Sequence, residues 1–261
     1  MKHLYFLQTF CYMLLCAVGF TACSSDADDV IEENGIGYVS LALNADTGFK
    51  TTTKAVDESD YEDVSKYTVQ VFKSGDENKP VIEGIYGELE DTYKLTVGQY
   101  VLKAFMGEEK AVSTDKLYFY GDKGFTITEG KEAEVAVTCK PSSARINVVF
   151  DETMEDYFSA YSVKIETEAQ KPSSFDWTKE TVGPVYFKVN DKEEVKVTVN
   201  LTNKENVKAE GAVKTYTLSP ANALKITVKP VISNGNLGIS ITIDDTTVDH
   251  PVDIIIPGEW V

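Results

Sequence analysis

Arginine is almost missing from this chain. Arg145 is the only one among 261 residues, so no groove lined by guanidinium forks can be built for phosphates or carboxylates. Cations of any kind are scarce: 25 Lys and Arg stand against 42 Asp and Glu, a formal net charge of −17. That field repels nucleic acid and anionic membrane surfaces, and it favours a soluble, self-repelling surface. Histidine is confined to His3 and His250, so neither a Ser-His-Asp nor a Cys-His arrangement finds a credible base. CxxC, HExxH, P-loop and dinucleotide glycine patterns are lacking. The EF-hand spacing is also lacking around Asp244 and Asp245, the one place where paired acids in a loop suggest calcium. Carboxylates cluster at Glu88, Glu90 and Asp91 and again at Asp151, Glu152, Glu155 and Asp156. In a chain with 42 acids such clusters read as solvated surface rather than as a glycoside-cleaving pair. No enzyme, no cofactor and no metal are expected.

Cysteine is the next scarcity. The four are Cys11, Cys16, Cys23 and Cys139, and the first three lie in or beside a targeting segment. Lys2 and His3 form a short basic start, and an apolar run follows to Phe20. Its length suits a signal peptide better than a membrane span. Thr21 and Ala22 are small, and Cys23 follows them, which suits cleavage by a lipoprotein signal peptidase and acylation of the thiol. Two acyl chains give a stable anchor where one is marginal. Phe20 stands where leucine is usual; the plainer alternative is an ordinary secreted protein cut near Ala22. Loss of residues 1–22 from the 261 leaves 239 and removes one lysine. Cys139 is then the sole thiol besides the acylated one, and no disulfide within the chain is possible. Residues 23–35 (Ser24, Ser25, Asp26, Asp28, Asp29, Glu32, Glu33) read as a flexible acidic tether.

Helical periodicity is absent over any long stretch, as is a repeat of roughly 20 to 50 residues, so helical bundles, solenoids and propellers are excluded. What is present is period-two alternation broken by turn residues. Strands are predicted over 37–43, 67–73, 81–86, 92–97, 99–106, 116–120, 125–128 and 132–139. Gly121-Asp122-Lys123-Gly124 reads as a turn. Lys140-Pro141-Ser142-Ser143 reads as a polar connector between domains. A fresh set of strands follows at 144–150, 161–167, 185–189, 194–201, 213–218, 224–231, 237–243 and 252–256. One helical turn is expected within 151–158, and a long loop over 170–183. The implied organisation is a signal peptide (1–22), a tether (23–35) and two β-sandwiches, 36–140 and 141–261.

The run Leu95-Thr96-Val97-Gly98-Gln99-Tyr100-Val101-Leu102-Lys103-Ala104 resembles the signature of transthyretin-like, Greek-key sandwiches: a glycine turns the chain and a tyrosine opens the next strand. Phe125–Cys139 and the closing stretch 237–257 resemble segments of Bacteroidetes surface lipoproteins within the fimbrillin superfamily, the subunits of type V pili. The acidic residues behind Cys23 resemble the export signal of such lipoproteins. This resemblance implies display on the outer face of the outer membrane or in a fimbrium. It also implies two tandem all-β domains, proteolytic loss of the first strand after a basic residue, and entry of a strand from another pilin subunit into the groove left behind. The basic residue falls at Lys50 or Lys54 here, in a threonine-rich stretch where arginine is usual. An uncut subunit would suit a base or accessory role.

Three further features bear on function. Val252, Ile254 and Ile256 alternate in a short apolar strand that is either a donor for a neighbouring subunit or the last strand of its own domain. Trp177 and Phe175, with Tyr118 and Tyr120, are the candidate aromatic platform for a glycan or host ligand. That is the alternative function: a surface lipoprotein that binds ligand without polymerising. Asp245-Thr246-Thr247 resembles a Bacteroidetes O-glycosylation acceptor, with Thr246 as the residue. Cys139 shares the inward parity of Val135 and Val137 and reads as a small core residue rather than a nucleophile.

Overall fold

Among the described residues, the alternation seen in the sequence becomes seventeen strands. The computed structural model describes residues 35–49, 58–209, 211–233, 236–244 and 252–255. The first eight strands are β1 (Ile36–Ala45), β2 (Thr68–Lys73), β3 (Ile82–Ile85), β4 (Tyr93–Thr96), β5 (Gly98–Gly107), β6 (Val112–Ser113), β7 (Tyr118–Ile127) and β8 (Glu132–Pro141). The rest are β9 (Ser143–Phe150), β10 (Phe158–Glu166), β11 (Phe175–Trp177), β12 (Val185–Lys188), β13 (Glu193–Asn203), β14 (Ala212–Leu218), β15 (Ala223–Ser233), β16 (Asn236–Asp244) and β17 (Val252–Ile255). A single turn of α-helix, α1 (Met154–Tyr157), sits between β9 and β10.

The first sandwich is one seven-stranded sheet folded on itself, in the order β3-β2-β5-β7-β8-β1-β4. The fold is at the β7–β8 corner, where only Phe119 and Tyr120 pair with Pro141 and Lys140. The two halves face each other across a core. Val39, Leu43, Val135, Val137 and Cys139 come from one half, and Val69, Val71, Tyr100, Leu102, Ala104 and Phe119 from the other. The Cys139 thiol donates to the Ala104 carbonyl across this core at 3.5 Å. The second sandwich packs a four-stranded sheet, β11-β10-β13-β14, on a six-stranded one, β17-β16-β15-β9-β12-β6. Its core joins Val163, Ile165, Trp177, Val195 and Val197 to Ile146, Phe187, Ile226 and Ile239. Each such buried side chain contributes roughly 1.5–3 kcal/mol.

Three sequence expectations are corrected. Gly121–Gly124 is not a turn, because β7 runs unbroken through it. A Cβ on Gly121 would lie 2.7 Å from the Thr138 carbonyl oxygen; the glycine lets β8 pass close rather than reversing the chain. The connector at 140–143 shrinks to Ser142 alone, since β8 ends at Pro141 and β9 begins at Ser143. The loop over 170–183 contains β11, whose alternating Phe175 and Trp177 pair with Ile165 and Val163 of β10.

The two sandwiches share strands as well as chain. β6, which lies between β5 and β7 in sequence, leaves the first sheet and pairs with β12 through Ser113–Tyr186 and Val112–Phe187. Tyr186 of β12 is in turn buried in the first core.

Two outcomes follow. Gly107 has φ +92°, and a Cβ there would collide with the Leu117 carbonyl oxygen. Gly107→Ala is expected to cost about 2 kcal/mol or more, read as a lower urea midpoint at unchanged m-value. Burial pushes the Cys139 thiol up to about 11. Native protein at pH 8 should therefore resist alkylation that proceeds readily in urea. Because the unfolded thiol ionises first, stability should fall as pH rises from about 9 towards about 11, and less so in Cys139→Ala.

Candidate functional site

β1 is the first strand of the described chain and yet an interior strand of its sheet, between β8 and the edge strand β4. On one side it runs parallel to β8, from Tyr38–Glu132 to Ala45–Cys139. On the other it runs antiparallel to β4, but only from Ile36–Thr96 to Val39–Tyr93. Beyond Val39 the β4 side is completed by a side chain. The Tyr86 hydroxyl donates to the Leu41 carbonyl at 3.2 Å and accepts from the Leu43 N–H at 3.4 Å. Tyr86 follows β3 directly, in a turn of 3-10 helix. The inward face of β1 carries Val39 and Leu43, at 0% and 6% exposure, with Leu41 packed beside them.

The chain leaving β1 is held first by β8 and then by the second sandwich. Asp46 donates its N–H to the Cys139 carbonyl at 2.9 Å and pairs with Lys140 at 3.6 Å. Gly48 adopts φ +65°, and a Cβ there would come within 2.9 Å of the Ala221 methyl. This turn delivers Phe49 to a slot between Arg145 and Tyr186. The guanidinium carbon lies 4.9 Å from the Phe49 ring centroid, and the Tyr186 ring is 5.8 Å away, tilted by 57°. Arg145 and Tyr186 are neighbours across β9 and β12, and both are buried, at 2% and 1% exposure. A desolvated guanidinium over an aromatic face is attracted by the ring quadrupole, by on the order of 1–2 kcal/mol.

Sequence reasoning marked Arg145 only as the lone arginine and missed Phe49 and Tyr86. Arg145 has the opposite parity to Ala144 and Ile146, which face the second core, so alternation assigns it to the outer face and no local signal marks its burial.

The other expected site residues divide as follows. Cys23, Lys50, Lys54, Thr246 and Ile256 lie outside the described residues. Val252 and Ile254 fall in β17, which pairs antiparallel with β16 at Ile241 and Ile239 and forms an edge of the six-stranded sheet. The aromatic platform is corrected: Trp177 is 1% exposed and belongs to the second core. Phe175 packs edge-on against Trp177 and Phe187, at 6.0 and 5.6 Å. Alternation brings both inward, because β11 pairs with the core-facing side of β10. Tyr118 and Tyr120 lie apart from them on the outer face of β7, half-exposed, with ring centroids 6.2 Å apart and Phe105 at 6.1 Å from Tyr118. Partial burial is the main cause that raises both phenols above the usual tyrosine value, and Asp122 adds to it at Tyr120. The four aromatics do not form one surface.

Among the described residues no group of three His, Cys, Asp or Glu side chains is placed to hold a metal ion. No helix among them is long and apolar enough to cross a membrane.

Several solved structures are similar in fold. One is a fimbrial assembly protein from Parabacteroides distasonis (13% identity, TM-score 0.42, covering 84% of this chain and 98% of that one). Another is the fimbrial anchor protein Mfa2 from Porphyromonas gingivalis (12% identity, TM-score 0.44, covering 80% of this chain and 98% of that one). No curated protein is similar enough to the chain to count as a match. Residues 35–258 match the family described as Domain of unknown function (DUF4493), and the chain belongs to that family.

Proposed function

We propose that this chain is a non-enzymatic surface lipoprotein that works by strand addition, as a fimbrillin-like structural, accessory or adhesive subunit. In this reading Cys23 carries the lipid that holds it to the outer membrane, facing outward. Proteolysis after Lys50 or Lys54 then frees β1, and a strand from a partner subunit takes its place between β8 and β4. The donor in this reading is the stretch 252–256 of another copy, of which Val252–Ile255 form an edge strand here.

The observation that carries the reading is the position of β1. A chain-terminal strand paired on both sides leaves two facing edges when it goes, separated by the width of one strand. That gap cannot stay empty at low cost. Val39 and Leu43 alone are worth roughly 3–6 kcal/mol of burial. Unpaired backbone groups on β8 and β4 add about 1–3 kcal/mol each where they are shielded from water. Together these rival the ~5–15 kcal/mol that holds a whole domain folded. An incoming strand with apolar residues at alternate positions restores both terms, with register set by its side chains. If the chain stays uncut, the same protein remains tethered by Cys23 and suits a base or accessory position.

N-terminal sequencing of protein released from cells tests this directly. Processing predicts Thr51 or Ala55 as the first residue, and the Lys50→Gln/Lys54→Gln double variant should stay anchored with β1 in place. Released protein that still begins at or near Cys23 would count against strand replacement.

A further inference from the structure

The far end of the second sandwich holds a cavity of about 490 Å³, within the range of small-ligand pockets, about 300–1,000 Å³. β9 starts at the junction with the first sandwich and runs away from it to Phe150, and α1 and the start of β10 follow there. The register of β10 against β13 slips between Phe158 and Ala160. Such bulges re-aim side chains and are frequent beside binding sites. Here the slip leaves Ser159 and Ala160 both exposed and turns Tyr161 towards the cavity wall. Phe150 supports Tyr161 from behind, with centroids 4.8 Å apart.

The remaining walls are polar and fixed by their own bonds. Lys179 and Glu155 pair at 3.2 Å, tying the loop after β11 to α1. Ser159 donates to the Asn203 carbonyl at 2.5 Å. The Thr178 hydroxyl accepts from the Glu180 N–H at 3.3 Å. Two lysines, Lys179 and Lys204, are balanced by two glutamates, Glu155 and Glu180. Formal charge in the cavity therefore cancels, and neither an anion nor a cation is selected as such. What it offers is an aromatic wall beside a ring of donors and acceptors in both senses. A ligand that uses all of these is uncharged, carries many hydroxyls and has an apolar face to lay against a ring.

We propose that this cavity is a binding site for a neutral saccharide unit, formed by Tyr161, the Glu155–Lys179 pair, Ser159 and Thr178. The proposal is independent of strand addition and uses none of the residues around β1. It also differs from the aromatic platform expected from sequence, since Trp177 and Phe175 are core residues and Tyr118 and Tyr120 belong to the other sandwich.

Saturation-transfer NMR on the full mature chain tests it, with the methyl glycosides of glucose, galactose, mannose and N-acetylglucosamine and their short neutral oligomers as probes. Transfer to at least one neutral sugar is expected. Affinity should fall about tenfold or more in Lys179→Ala, which removes a charged hydrogen-bond donor from an exposed position and leaves the core intact. Tyr161→Ala should abolish transfer; because it touches the core, its thermal melt is recorded alongside. Tyr120→Ala, on the first sandwich, should bind as the parent does. The proposal is overturned if no neutral sugar of the panel receives transfer, if Lys179→Ala binds as well as the parent, or if only charged sugars or peptides bind.

Discussion

A ten-residue strand, β1, lies between a parallel neighbour and an antiparallel one, and the closure of the first sandwich rests on that pairing. Parallel pairing of neighbours in sequence needs a long crossover. Here β1 and β8 meet only after the chain has built almost all of the intervening sheet. A related plan recurs in the second sandwich, where β9, its first strand after the crossing β6, runs parallel to β15 and sits between β15 and β12. Every other pairing among the described strands is antiparallel. Each sandwich thus holds an early strand in the interior of a sheet, paired in parallel on one side and antiparallel on the other. The two differ in how freely that strand can leave. β9 follows β8 after a single residue, Ser142, whereas β1 is joined to the rest by the longer stretch that contains Lys50 and Lys54.

The junction adds a second constraint on β1. Phe49 lies on Arg145 and beside Tyr186, so the chain leaving β1 is fastened to the second sandwich as well as to β8 of its own. β6 does the same for the connection between β5 and β7. The only guanidinium in the chain is placed at this junction, in a protein whose lysine–carboxylate pairs among the described residues are mostly exposed contacts that contribute little each. Release of β1 therefore involves breaking a contact with the second sandwich as well as a row of main-chain hydrogen bonds.

Most of the strands were legible because one face of each is buried and the other wet, so alternation is imposed residue by residue. Val135, Val137 and Cys139 on β8 are the clearest case. The misreadings share a physical origin, which is contact made at a distance in sequence. Gly121 and Gly124 have turn composition, and only the approach of Thr138 explains why a glycine is needed within a strand. Trp177 and Phe175 sit in polar, proline-bearing sequence, and their burial comes from pairing with β10. Tyr86, Phe49 and Arg145 have no local pattern at all. The cavity beside Tyr161 depends on a one-residue slip against β13 that alternation cannot reveal.

The central claim is that the place of β1 can be filled by another strand. The most direct measurement takes the chain lacking residues 23–54, alone and with a peptide spanning residues 35–46, and follows stability and mass by thermal melting and native mass spectrometry. The account predicts that the shortened chain is markedly less stable or self-associates, and that one peptide per chain binds and restores the melting temperature. A shortened chain that stays monomeric, melts where the intact protein does and takes up no peptide would contradict it.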